Sequence, residues 1–302
     1  MIAFLFPGQG SQHPAMLARE DPHLAAVLDE ARAVLGFDLR AAFAQAGAAR
    51  DTRLVQLALL ADGVASARAC TAAGIVPEAV AGHSAGAFGA AVAAGALAFA
   101  DALRIVERRG ALLAAAFPSG YGMAALVGLD AAAVDALVAE AAEGEPLFRS
   151  NQNAERQFAL SGASAALNRA VALAPNRGAA SARLLDVAIP SHCALCAPIA
   201  EALHAQFDDL PLGRPHARVA GNVGGRLLRD AHAIVADALE NVAHPVSWFD
   251  ATTALAEAGT MLFVEMRPGR ILRDLAATAF PDRRAVAVED GLANVLAAAA
   301  DR

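Results

Sequence analysis

The chain is 302 residues long, enough for one large domain with an insertion or for two modest ones. Hydrophobic residues make up 57% of it, but alanine supplies much of that share, which points to close helix packing and away from a membrane. A net charge of −7 argues against nucleic acid or an anionic membrane surface as a partner.

Residues 2–6 are an apolar run that reads as a strand, and Pro7 ends it. No basic segment precedes this run, so no secretory leader is expected and a cytoplasmic location is. The loop Gly8-Gln9-Gly10-Ser11-Gln12 follows. Such glycine-rich turns often hold phosphate, yet His13 stands where a dinucleotide fingerprint needs its third glycine, and no Lys-Ser or Lys-Thr pair follows. Helical patterns cover residues 22–34 and 53–73, the second stopped by Gly74. A short strand near 79–82 runs into Gly82-His83-Ser84-Ala85-Gly86 and a helix of small residues. Residues 79–100 are the one uncharged stretch long enough to test as a membrane span, but His83, Ser84 and several glycines interrupt it. A further helix starts after Asp101, its expected N-cap, and runs to about Ala116. Strands and helices in alternation indicate a parallel α/β sheet.

The texture then changes. Residues 121–127, 147–151, 157–160 and 181–187 read as strands, with helices at 130–143, capped by Asp130, and at 163–175. The order βαββαβ is the split-βαβ, ferredoxin-like pattern. The α/β texture returns after Pro190, with helices near 193–206, 230–242, 249–258 and 269–279, a strand at 260–265, and a final strand and helix. Residues 1–117 and 189–302 are therefore expected to form the core, and residues 118–188 a small inserted domain.

Gly82-His83-Ser84-Ala85-Gly86 fits G-x-S-x-G, which on a strand–turn–helix makes a nucleophile elbow. The pentapeptide also fits a glycine-rich helix start capped by Ser84; its place between a strand and a helix favours the nucleophile. A serine nucleophile needs a base. His192 follows a strand through Ile189-Pro190-Ser191 and precedes an apolar helix, whose N-terminal dipole would keep the imidazole neutral. Position alone leaves open a helix-capping or packed core histidine. Arg109 shares a helical row with Ile105 and Leu113, so it must snorkel or be paired. Its internal partner is not evident, and a carboxylate ligand is one alternative. Cys193 and Cys196 form a C-x-x-C without a second pair, read as buried structural thiols, with no metal expected.

Phe6-Pro7-Gly8-Gln9-Gly10-Ser11-Gln12, Gly82-His83-Ser84-Ala85-Gly86, Val106-Glu107-Arg108-Arg109-Gly110, Pro190-Ser191-His192-Cys193-Ala194-Leu195 and His244-Pro245-Val246-Ser247-Trp248 occur in this order. Together they resemble the malonyl-CoA:acyl-carrier-protein transacylase family across nearly the whole chain. The resemblance implies an α/β-hydrolase-like core with a ferredoxin-like insert. It implies Ser84 as the acylated nucleophile, His192 as its base, and Arg109 as the bidentate holder of the malonyl carboxylate. The backbone N–H groups of Gln9 and Ala85 would form the oxyanion hole. Asn153 falls where the family has an Asn-x-Asn segment near the site. Ser247 stands where the family has a glutamine, at a position taken to orient the histidine through its backbone carbonyl. No permanently bound cofactor is implied; malonyl-CoA is the substrate and an acyl carrier protein the partner. Ala87, where fatty-acid transacylases carry a glutamate, resembles the epsilon subunit of malonate decarboxylase, which loads its own carrier. The alternatives are a transacylase of fatty-acid or polyketide synthesis and, from other classes, a serine esterase or a non-catalytic scaffold. Arg267, Arg270 and Arg273, or Arg104 and Arg108, offer basic surfaces for an acidic carrier.

Overall fold

The computed structural model describes residues 1–301. Its strands are, in chain order, β1 Ile2–Phe6, β2 Ala79–Gly82, β3 Tyr121–Val127, β4 Leu147–Ala154, β5 Gln157–Ala163, β6 Ser181–Leu184, β7 Arg218–Ala220, β8 Leu227–Leu228, β9 Leu262–Glu265 and β10 Arg284–Ala287. They form a six-stranded sheet ordered β10-β9-β1-β2-β7-β8 and a four-stranded sheet ordered β4-β5-β3-β6. The architecture is thus mixed α/β.

In the larger sheet every pairing is parallel except the edge pair of β7 and β8. β1 is buried along its whole length, as expected of a parallel strand with helices on both faces. Its side chains alternate between two cores. Phe4 and Phe6 join Val80 and the helices Thr52–Ala72 and Phe99–Ala116, while Ala3 and Leu5 join Trp248, Leu255 and Phe263. The register pairs Phe6 with Gly82 and Leu5 with Glu265, so the turns after β1, β2 and β9 emerge together at the carboxyl edge. In open α/β sheets that edge is where ligands bind.

The helix Thr52–Ala72 is begun by Asp51, whose side chain accepts from Leu54 N at 3.0 Å. By length and composition this helix could cross a membrane, but 78% of its apolar window is buried inside the fold. Residues 79–100 are cut instead into β2, a tight turn and the helix Gly86–Ala93.

The four-stranded sheet is antiparallel throughout and comes from the element order βαββαβ. Ala124, Leu126, Phe158 and Leu160 face the helices Ala131–Ala142 and Ser164–Leu173, whereas Met123, Ala125 and Ala159 face a cavity beside the larger sheet. β4 runs three residues past the expected end, and its register slips between Arg149 and Asn151 and again between Gln152 and Ala154. Such bulges re-aim side chains. Gln152 N and Val246 N donate to Val246 O and Ser150 O, both at 2.9 Å, tying β4 to the loop before Trp248.

Several boundaries differ from expectation. Asp101 is not an N-cap: the helix starts at Phe99 behind Ala98, and Asp101 lies in its first turn, paired with Arg104 at 2.7 Å. The helix expected from residue 193 begins at Ala197, after a single 3₁₀ turn over Ala194–Cys196. β6 stops at Leu184. The short elements β7, β8 and the helix Leu39–Phe43 were not expected at all.

Candidate active site

β2 ends at Gly82 and the chain reverses at Ser84, which takes a left-handed φ of 56° before the helix Gly86–Ala93. The crossing is too tight for side chains on either flank. A Cβ at Gly82 would sit 2.1 Å from Gly86 O, and one at Gly86 2.2 Å from Phe6 O. Gly8 lets the first loop lie on the same turn, since a Cβ there would meet His83 O at 2.6 Å. The G-x-S-x-G spacing therefore encodes a real elbow, not a helix cap made by Ser84.

Ser84 Oγ lies 2.6 Å from His192 Nε2, and His192 Nδ1 lies 2.5 Å from Asn241 O. A carbonyl can only accept, so Nδ1 carries the hydrogen and Nε2 offers its lone pair to the serine hydroxyl. His192 is buried and also left-handed, with φ 67° and its N–H held by Val242 O at 2.7 Å. Its pKa is pushed down to about 3, first by burial and next by the positive charge of Arg109. This corrects the expected cause: the 3₁₀ turn begins only at Ala194, and burial with Arg109 keeps the ring neutral.

Ser247 is not the residue that orients His192. Its carbonyl accepts from Ala251 N at 3.0 Å and its N–H donates to Asn222 O at 2.9 Å; the carbonyl at the histidine belongs to Asn241. The helix Trp248–Glu257 starts immediately after Ser247 and turns that carbonyl along its own axis.

Arg109 is 1% exposed. Nη1 donates to Gln56 Oε1 at 2.6 Å and Nη2 to Asn241 Oδ1 at 3.4 Å, while Nε has no partner. Both partners are neutral amides, so the guanidinium charge is solvated but not neutralised. Burial lowers its pKa to about 10, which leaves it charged at neutral pH. Arg109, Ser84, His192, Gln56, Gln9 and Asn153 line one cavity of about 220 Å³. The N–H groups of Gln9 and Ala85 donate to no other group among the described residues. Asn153 reaches the site through His83, whose Nε2 lies 2.9 Å from Asn153 Oδ1 and whose ring meets Trp248 edge-on. His83, the other histidine beside the nucleophile, is thus occupied elsewhere.

Cys193 and Cys196 are buried free thiols that donate to Pro190 O at 3.2 and 3.1 Å. Among the described residues no group of His, Cys, Asp and Glu is arranged to hold a metal. Gln56, Asn222 and Asn241 were not singled out from sequence. Asn222 Oδ1 accepts Ser84 N and its Nδ2 donates to Gly82 O, both at 2.8 Å, while Asn241 Nδ2 donates to Ser84 O at 3.2 Å. Gln56, a lone polar residue in an apolar helical run, carried the one legible signal.

Residues 3–290 match the acyl transferase domain family. The chain is 37% identical over 298 residues to the malonyl CoA-acyl carrier protein transacylase of Haemophilus influenzae, covering 96% of this chain and 95% of that one. The fold superposes with a TM-score of 0.93 on the malonyl CoA-acyl carrier protein transacylase of Coxiella burnetii, at 32% identity over 98% of this chain and 96% of that one. It superposes with a TM-score of 0.92 on a malonyl-transacylase in complex with a type II polyketide acyl carrier protein, at 35% identity over 100% of this chain and 99% of that one.

Proposed function

The chain belongs to the acyl transferase family, and on that premise we propose that it moves a malonyl group from malonyl-CoA to the thiol of an acyl carrier protein through an ester on Ser84. The observation that carries the malonyl reading is Arg109, a buried, charged guanidinium without a carboxylate partner in the cavity of the serine–histidine pair. A free carboxylate on the acyl group supplies the missing counter-charge by a two-pronged pair.

The reaction follows from the geometry. Ser84 Oγ attacks the thioester carbonyl carbon while its proton passes to His192 Nε2. The carbonyl electrons move onto oxygen, which the free N–H groups of Gln9 and Ala85 receive. Collapse breaks the C–S bond, and the imidazolium returns its proton to the departing CoA thiolate. In the second half the carrier thiol gives its proton to His192 and attacks the ester carbon, the C–O bond to Ser84 breaks, and the imidazolium returns the proton to Ser84 Oγ. No third acidic member is needed, because Asn241 O fixes the tautomer. When the malonyl carboxylate pairs with Arg109, a charge that holds the His192 pKa down is neutralised, so the base strengthens as substrate arrives.

The relatives carry transacylase names and lend no support to the malonate decarboxylase expectation drawn from Ala87. The pathway reading that fits them is fatty-acid or polyketide synthesis. The same proposal takes residues 118–188 as a ferredoxin-like insert in an α/β-hydrolase-like core, supported by the strand order β4-β5-β3-β6, and places the enzyme in the cytoplasm with no retained cofactor. Of the basic surfaces expected for the carrier, Arg267, Arg270 and Arg273 are paired with Glu289, Asp290 and Asp274 at 2.9, 2.5 and 2.7 Å. Arg104 and Arg108 line a separate hollow. Arg183, exposed at the mouth of the site cavity and in no ion pair among the described residues, is the better placed charge.

Intact mass after brief exposure to malonyl-CoA tests the reading. A malonyl increment that persists until a thiol acceptor is added is the expected result. No increment would remove the transferase reading, and rapid loss without a thiol would favour an esterase.

A further inference from the structure

Where β2 ends, its ladder with β7 ends too: the last registered pair is Ala81 with Ala220, and β7 turns away at Gly221. Gly82 C=O and Ser84 N–H, the next groups along β2, therefore have no backbone opposite them. The side chain of Asn222 fills that place. Its Nδ2 donates to Gly82 O and its Oδ1 accepts Ser84 N, both at 2.8 Å, so one carboxamide stands in for the missing peptide of the neighbouring strand.

We propose that Asn222 is the positioning residue of the nucleophile: it spans the elbow and sets where Ser84 Oγ and the Ala85 N–H point. The left-handed φ of 56° at Ser84 is unfavourable for a residue with a side chain and persists only where its surroundings hold it. Asn222 is built for that load. It is 3% exposed, its N–H donates to Asp237 Oδ2 at 2.8 Å, and its carbonyl accepts Ser247 N at 2.9 Å. Val223 N donates to the other oxygen of Asp237 at 2.9 Å, and a Cβ at Gly221 would stand 2.6 Å from that oxygen, so the loop is moulded on the carboxylate. Asn222 does not line the cavity, and it acts through the backbone of Gly82 and Ser84.

The chemistry needs a donor and an acceptor on one short side chain. Alanine has neither, and an ionised aspartate accepts at both positions and would oppose Gly82 O. A protonated aspartic acid can donate from one oxygen and accept at the other, restoring both bonds.

The proposal rests on Ser84 being the acylated residue, and rapid-quench intact mass with malonyl-CoA separates the two. If the wild-type protein forms no adduct, the nucleophile assignment fails and this proposal falls with it. With a wild-type adduct in hand, Asn222→Ala should acylate about 100-fold more slowly per folded molecule, the scale of a small misplacement of a reacting group. The malonyl-CoA concentration for half-maximal rate should stay within about threefold, since Arg109 and Gln56 are untouched. Asn222→Asp should be slow at pH 8 and recover at least about tenfold towards pH 5.5, the reverse of any loss through the base. If Asn222→Ala does not fold, the pH profile of Asn222→Asp decides alone. Acylation by Asn222→Ala within about threefold of wild type, or an Asn222→Asp profile parallel to wild type, would overturn the proposal.

Discussion

At the carboxyl edge of the six-stranded sheet, Ser84 and His192 hold positive φ while buried, and they meet at 2.6 Å. The remaining non-glycine residue with positive φ among the described residues is Glu143, near the four-stranded sheet. It is the exposed C-cap of Ala131–Ala142, a place where left-handed residues commonly end helices. One region thus uses the left-handed conformation to stop a helix in water. The other buries it twice and holds it with side-chain amides from Asn222 and Asn241. Strain retained in a packed interior persists because buried polar side chains brace it, and such strain gathers at functional sites. The smaller sheet supplies a wall of the cavity in which Met123, Ala125 and Ala159 stand beside the polar Asn153, Gln157 and Arg183, and Leu185, directly after β6, extends its apolar part.

The comparison breaks most simply at Ser84. Ser84→Ala should abolish the malonyl adduct and nearly all transfer; an adduct retained by the variant would remove the strained turn from the chemistry. His192→Ala should follow, slowing acylation by roughly 10²–10⁴, the usual scale of general-base assistance. A near-wild-type rate would move the base elsewhere.

Arg109 sharpens the contrast by separating recognition from chemistry. Arg109→Ala should lower malonyl transfer by roughly 10²–10³ while acetyl transfer holds or rises, because acetyl leaves the guanidinium unpaired. Arg109→Lys should rescue in part, an ammonium lacking the planar fork. Proportional loss for both acyl groups would make Arg109 structural.

A pH series comes next in size. With His192 as the proposed base the rate falls on its protonation, and its pKa is held down from 6.5 to about 3, so the acid limb of kcat/KM should lie well below pH 6.5. Arg109→Met removes a charge that opposes protonation, so its limb, followed with acetyl-CoA, should move up. Stability should change in the same window: the unfolded chain takes up the proton near 6.5 and the folded chain resists to about 3, so folding weakens as pH falls between them. A wild-type acid limb at 6.5 would contradict the burial of the base.

The smallest effect should come from the wall. Leu185→Ala should raise the KM for malonyl-CoA a few-fold, roughly the worth of some methylene contacts, and leave the acylation rate unchanged. A loss in acylation rate instead would show that the segment after β6 also positions the nucleophile.

Much of this was legible locally. Asp21, Asp51 and Asp130 each precede a helix and each accepts its N-terminal N–H groups. The elbow was legible because two glycines at fixed spacing report one tight crossing. β7 escaped notice because three residues, Arg218–Ala220, carry too little periodicity to differ from a loop. Asp101 misled because a capping residue in the first turn looks the same in sequence as one at its start.

The sequence by itself determined the α/β order and the elbow, each written in residues near one another along the chain, and it marked Ser84, His192 and Arg109 as candidates whose roles came from the family resemblance. Which carbonyl fixes His192, which amides hold Arg109, and what clamps Ser84 were decided only in three dimensions. Asn222 meets Ser84 across 138 positions, Asn241 meets Arg109 across 132, and Gln56 meets Arg109 across 53. An asparagine in a loop has the same local signature whether it faces water or a nucleophile. The buried neighbours that fold around it make the difference, and they also set the charge of the imidazole, because burial and the Arg109 field exist only once the chain has closed on itself.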